Sequence, residues 1–198
     1  MTNTQTANHR PYRVFISTGE VSGDLQGSLL IHSLKRQAAQ RGMELEILAL
    51  GGDRMAQAGA TLLAHTSEIG AMGILEALPF ALPTLKIQNQ AKAYLKQSPS
   101  DVVVLIDYMG PNLALCEYFF KQPDSPPLVY YICPQEWVWG DRWKWGVKLF
   151  RADLIAKATK RVLAIFPAEA DYMQRKGAEV RWVGHPLIDR MQTALDRN

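Results

Sequence analysis

Six short runs of apolar, largely β-branched residues recur along the chain, and most are followed by a stretch whose apolar positions have helical spacing. They are YRVFIST (12–18), LEILAL (45–50), DVVVLID (101–107), PLVYYI (127–132), RVLAIF (161–166) and EVRWVG (179–184). The amphipathic stretches cover 24–41, 53–59, 111–121, 147–158 and 167–176. Runs that are apolar at every position are buried on both faces, and strands separated by helices pair in parallel. The pattern predicts a doubly wound, mostly parallel, Rossmann-like α/β sheet over residues 12–190, after a flexible tail at 1–11. Between the second and third runs, roughly 60–98, the connection is longer than a crossover needs, which predicts an insertion. There is no internal repeat and no low-complexity segment.

Sheets of this kind bind ligands beyond the carboxyl ends of their strands. Loops opening near Ser17, Gly51, Asp107, Cys133, Phe166 and Gly184 are therefore expected on one rim. The first of them, STGEVSGDLQGSLL (17–30), places Gly19, Gly23 and Gly27 at every fourth position. That is not the G-x-G-x-x-G of a dinucleotide site, and the absence of lysine between Arg13 and Lys35 excludes a P-loop. What remains is a strand-to-helix turn open to close approach, with Glu20, Ser22 and Asp24 as polar groups and helix amides free for an anion. Ser22 or Asp24 could equally cap the helix. Asp107, at the end of five apolar residues, lies on the same rim, where it could cap a helix starting near Pro111.

Composition narrows the class. At 198 residues, 47% hydrophobic and 21% charged, the chain suits one globular core. Two cysteines, Cys116 and Cys133, give neither a disulfide framework nor a zinc cluster, which fits a reducing cytoplasm. The polar start MTNTQTANHRPYR has no apolar h-region, so secretion is not expected. The longest apolar stretch, 71–85, is interrupted by Glu76, Pro79 and Pro83 and falls short of the ~18–20 residues of a spanning helix. Within it, Leu75, Leu78, Leu82 and Leu85 fall at helical spacing, with Met72, Ile74 and Phe80 beside them, as a core face or an exposed patch would.

Net charge is +3, and positive charge concentrates between Asp141 and Arg161, where seven basic residues face two acidic ones. Trp137, Trp139, Trp143 and Trp145 are interleaved with Arg142, Lys144 and Lys148. Without a nucleic-acid-binding module pattern this reads as a packed rim loop, and no nucleic-acid partner is expected. Lys157, Lys160 and Arg161 fit a solvated face. His185 has no second ligand at metal spacing, so a structural role, no metal and no cofactor are expected.

Seven motifs then fall in order: GEVSGD (19–24), GGDRM (51–55), EIGAMGILEAL (68–78), LID (105–107) with Asn112 five positions on, CPQEWVW (133–139), LAIFPAE (163–169) and VGHPLID (183–189). Across residues 13–191 this order resembles the lipid-A-disaccharide synthase family. The resemblance implies the N-terminal domain of a GT-B glycosyltransferase, an inverting hexosyltransferase of lipid A biosynthesis. Its reaction moves 2,3-diacylglucosamine from UDP to the 6-hydroxyl of 2,3-diacylglucosamine 1-phosphate, forming the β-1,6 disaccharide and UDP.

By the same resemblance, Asp107 would be the catalytic base, and Glu20, Ser22, Gly23 and Asn112 would bind the acceptor. Met72, Ile74, Leu75, Leu78, Phe80, Leu82 and Leu85 would dock peripherally on the cytoplasmic face of the inner membrane, and Pro134, Trp137 and Trp139 would form a rim loop. Where the family reads Asp-x-Pro-Asp-Phe-Asn, this chain reads Asp107 to Asn112 as DYMGPN, with Gly110 at the second aspartate; Cys133 and Glu136 are also unusual. Residues 191–198 would begin the linker to a UDP-sugar-binding domain, separate or beyond this chain, without which the 198 residues are expected to be inactive. A sugar-nucleotide epimerase of similar architecture and a non-catalytic lipid-binding module are the competing expectations.

Overall fold

The structure, a computed structural model, describes residues 10–66, 81–133 and 152–195. Its strands are β1 (Tyr12–Ser17), β2 (Leu45–Gly51), β3 (Thr61–His65), β4 (Val102–Ile106), β5 (Leu128–Tyr131), β6 (Arg161–Ala164) and β7 (Val180–Trp182). The helices are α1 (Val21–Gln40), α2 (Asp53–Gln57), α3 (Ala81–Gln97), α4 (Met109–Phe120), α5 (Ala152–Ala158), α6 (Pro167–Arg175) and α7 (Leu187–Leu195). Every neighbouring pair of strands is parallel, and the sheet order is β3-β2-β1-β4-β5-β6-β7. The chain winds outward from β1 in one direction and from β4 in the other. The crevice between those two strands is the switch point at which such sheets bind ligands.

Each apolar run expected to be a strand is one, to within two residues at either end. The expected insertion at 60–98 contains one strand more. β3 has the sequence TLLAH, lies at the sheet edge on β2, and is only partly buried. With three apolar residues flanked by Thr and His, it lacks the long apolar run that marks a strand covered on both faces. At the other end, α7 crosses position 191, where a linker was expected, because Ile188, Met191 and Leu195 continue a helical spacing.

Two apolar layers enclose the sheet. On one face Val14, Ile16, Ile47, Val104 and Ile106 pack with Ile31 of α1 and Met55 of α2. On the other, Phe15, Leu48, Val103, Leu105 and Tyr130 meet Ala91 and Leu95 of α3, Leu115 and Phe119 of α4, Ile155 of α5 and Met173 of α6. Alternate residues of one strand thus serve opposite layers, which is why the strands read as continuous apolar runs.

The crossing of α1 and α2 depends on small residues. A Cβ on Gly27 or Gly51 would stand 2.6 or 2.4 Å from the Met55 sulfur, so both glycines leave room for that fully buried side chain. Asp24, 4% exposed, does not cap its own helix. Its carboxylate accepts the backbone N–H groups of Gly52 (2.9 Å), Arg54 (3.1 Å) and Met55 (3.1 Å), and so caps α2 across the domain. Asp24→Ala leaves three amide donors facing a buried void. We expect it to lower unfolding free energy by about 2–3 kcal/mol, read from the urea midpoint, whereas Asp53→Ala on the exposed side of α2 should change it by less than about 0.5 kcal/mol.

Candidate active site at the β1–β4 switch point

The carboxyl ends of β1 and β4 are tied by one side chain. Asn112, in the first turn of α4 and fully buried, accepts the Ser17 hydroxyl at 2.7 Å. Its amide nitrogen donates to the carbonyls of Ser17 (3.1 Å), Ile106 (3.0 Å) and Asp107 (2.9 Å). The Tyr130 hydroxyl, from β5, donates to the Asp107 carbonyl at 3.0 Å, and the Asp107 N–H reaches the carbonyls of Ile132 (3.1 Å) and Tyr131 (3.3 Å). This net holds Asp107 and Tyr108 in left-handed backbone conformations, with φ of 45° and 53°. Non-glycine residues adopt that conformation only where surrounding contacts enforce it.

The turn after β1 is built in the same way. Gly19 and Gly23 are buried, and a Cβ on Gly23 would fall 1.8 Å from the Thr18 hydroxyl. Thr18 is itself fully buried, its carbonyl accepts the Thr66 hydroxyl at 2.5 Å, and its own hydroxyl has no partner among the described residues. Glu20 stands at the N-cap of α1 in extended conformation and makes no capping bond. Its carboxylate is half-buried and hydrogen-bonded to exposed Ser22.

The result is two half-buried carboxylates facing each other across the switch point. Burial, then the charge of Glu20, push the Asp107 carboxyl up from 3.8 to about 6, and the Glu169 charge adds to the rise; a hydrogen bond from the Tyr108 N–H opposes it. Burial likewise raises Glu20, against its bond to Ser22. α4 has no side-chain cap, and Asp107 is engaged by the N–H of Tyr108, which precedes the helix, so the capping alternative for Asp107 lapses. A carboxylate poised near neutral pH, desolvated and fixed on a rim, is equipped to take a proton from a hydroxyl group.

Of the four residues expected to bind an acceptor, Glu20 and Ser22 lie at the open side of the turn, while Gly23 and Asn112 support it from behind. Leu82 and Leu85 are 77% and 53% exposed on α3. Met72, Ile74, Leu75, Leu78, Phe80, Pro134, Trp137 and Trp139 lie outside the described residues. His185 Nδ1 accepts the Leu187 N–H at 3.2 Å, and its ring lies 5.5 Å from that of Phe166, a local structural arrangement. No group of three His, Cys, Asp or Glu side chains is placed to hold a metal ion among the described residues. No described helix is long and apolar enough to cross a membrane.

Sequence reasoning missed Glu169. Buried in the first turn of α6, its carboxylate accepts the N–H groups of Cys133 (2.8 Å), Ile165 (2.9 Å) and Phe166 (3.4 Å), joining the ends of β5 and β6. The signal was a glutamate two positions after Pro167, in the N-terminal turn of a helix that follows a strand.

A protein-family model described as lipid-A-disaccharide synthetase matches residues 14–198. The chain belongs to that family. A lipid-A-disaccharide synthase from Gloeothece citriformis is 53% identical over 185 residues, covering 93% of this chain and 47% of the relative. One from Synechocystis is also 53% identical, over 90% of this chain and 44% of its own length. One from Geobacter sulfurreducens is 31% identical over 94% and 45%. The chain thus spans about half the length of the curated synthetase-family relatives it matches. Its fold is also that of a solved structure described as the glycotransferase of kitacinnamycin, with a TM-score of 0.51, 15% identity, and coverage of 89% of this chain and 52% of the other.

The raised Asp107 carboxyl sets the sign of a pH effect. Between 3.8 and about 6 the folded chain binds more protons at this position than the unfolded one, so stability falls as pH rises through that window. Asp107→Asn should therefore raise Tm above pH 6 and lose that advantage below pH 4, when thermal unfolding is followed across pH. A constant difference at all pH values would contradict the raised carboxyl.

Proposed function

We propose that this chain is the acceptor-binding half of a lipid-A-disaccharide synthase. The observation that carries the reading is the pair of half-buried carboxylates, Glu20 and Asp107, on the rim between β1 and β4 of a synthetase-family domain. In this reading Glu20 and Ser22 hold the sugar of 2,3-diacylglucosamine 1-phosphate. Asp107 accepts the proton of its 6-hydroxyl as that oxygen bonds to the anomeric carbon of the UDP-linked 2,3-diacylglucosamine. The anomeric C–O bond to phosphate breaks with its electron pair, UDP departs, and configuration inverts to the β-1,6 linkage. Family membership supports this over an epimerase or a non-catalytic lipid binder.

The donor site belongs in this reading to the other half of the family's length. The exposed Leu82 and Leu85 support peripheral docking on the cytoplasmic face of the membrane, where acylated substrates reside. Asn112 acts by holding the Asp107 turn and not by touching the acceptor.

Calorimetric titration of the chain in detergent micelles tests the assignment. We expect saturable binding of 2,3-diacylglucosamine 1-phosphate and little heat from UDP or NAD. Glu20→Ala should weaken the lipid about tenfold, the loss of one charged hydrogen bond, while Asp107→Asn should leave affinity within about twofold. In the complete protein Asp107→Asn should lower kcat by about 10²–10⁴. Tight UDP or NAD binding with no lipid response would overturn the proposal.

A further inference from the structure

The carboxylate pair stands at the carboxyl ends of the strands, and a second cleft opens at their amino ends. It has a volume of about 280 Å³ and lies between the last turns of α3 and α4, beside the loops that lead into β4 and β5. Leu95 of α3, Val103 of β4 and Phe119 of α4 line it and are each more than nine-tenths buried, and Pro99, Tyr118 and Pro126 complete its apolar walls. Asp107 follows the far end of β4, so this cleft is separate from the candidate active site. Ser100 also lines it, 6% exposed, and its hydroxyl has no hydrogen-bond partner among the described residues. The polar side chains near Ser100 in sequence or across the cleft are engaged. The Ser98 hydroxyl accepts from the Arg13 guanidinium, the Asp101 carboxylate accepts from the Arg10 guanidinium (2.6 and 2.9 Å) and the Arg13 N–H (2.8 Å), and the Ser125 hydroxyl donates to the Pro126 carbonyl (3.1 Å).

We propose that this cleft binds a small neutral phenol or alcohol, its apolar part against Leu95, Val103 and Phe119 and its oxygen on the Ser100 hydroxyl. A buried hydroxyl without a partner is costly, and a serine hydroxyl both donates and accepts, so a ligand hydroxyl satisfies it in either direction. Water is a poor occupant, because an ordered buried water needs several polar partners and these walls are apolar. An apolar molecule that brings its own hydroxyl displaces such water with a gain in affinity. The size is sufficient, since an engineered apolar cavity of roughly 150 Å³ holds benzene. Charge selects a neutral ligand: the exposed Lys96 and Asp124 that also line the cleft offset each other, and an ion against the apolar walls would be left unpaired. The proposal does not depend on the reading of Asp107 or of the acceptor.

Methyl ¹H–¹³C NMR of the chain tests it with two probes, 4-methylphenol and toluene, which differ by the hydroxyl. Titration with 4-methylphenol should shift the Leu95 and Val103 methyl signals saturably below about 10 mM, and its ring protons should show intermolecular NOEs to those methyls in the unmodified chain. Ser100→Ala should weaken 4-methylphenol about fivefold, the loss of one neutral hydrogen bond, and leave toluene within about twofold. Because the removed hydroxyl has no partner, the same variant should keep or raise the Tm of the free chain, so a weakened complex is not a folding defect. Shifts that stay linear over the whole titration, NOEs absent from Leu95 and Val103, or a Ser100→Ala effect equal for both probes would each overturn the proposal.

Discussion

The buried amide of Asn112 is the constraint on which the site depends. In a doubly wound sheet the two central strands diverge at their carboxyl ends, opening a crevice lined by backbone groups that have left the sheet and still need partners. Asn112 fills that need with a single side chain, serving carbonyls from both strands and the hydroxyl of Ser17. No apolar residue could do so, and an aspartate would lack the donor. Because the bond set includes the Asp107 carbonyl, closing the crevice and setting the left-handed turn are one event.

Electrostatic character follows from that geometry. Strands buried on both faces deliver Asp107 to the rim with a desolvated approach, and the glycines of the first turn let Glu20 come near enough for its charge to matter. Both effects disfavour ionisation, and the Tyr108 N–H sets the limit to the rise. Beneath the site, Asp24 and Glu169 use buried carboxylates for a different purpose, each satisfying three backbone N–H groups at a neighbouring loop. Their oxygens are occupied, which separates these structural acids from the two at the switch point.

The strand order and the rim were legible because runs such as VVVLI and RVFIS, apolar throughout, have few alternatives to a strand covered on both faces. Asp107 was legible for the same reason: a polar residue ending such a run must lie at an edge. β3 was not, since a short edge strand needs little apolar content. Asp24 and Asn112 were visible as polar residues near helix starts, but their partners are 28 to 31 and up to 95 residues away, and local pattern carries no information about such pairings.

Hydrogen–deuterium exchange of the chain in micelles, with and without 2,3-diacylglucosamine 1-phosphate, tests the proposed acceptor site without relying on any substitution. The account predicts slowed exchange at the amides of residues 19–22 and 107–110, with little change along the outer groove between α1 and α7. Protection confined to that groove, or a first turn whose exchange is indifferent to the lipid, would contradict it.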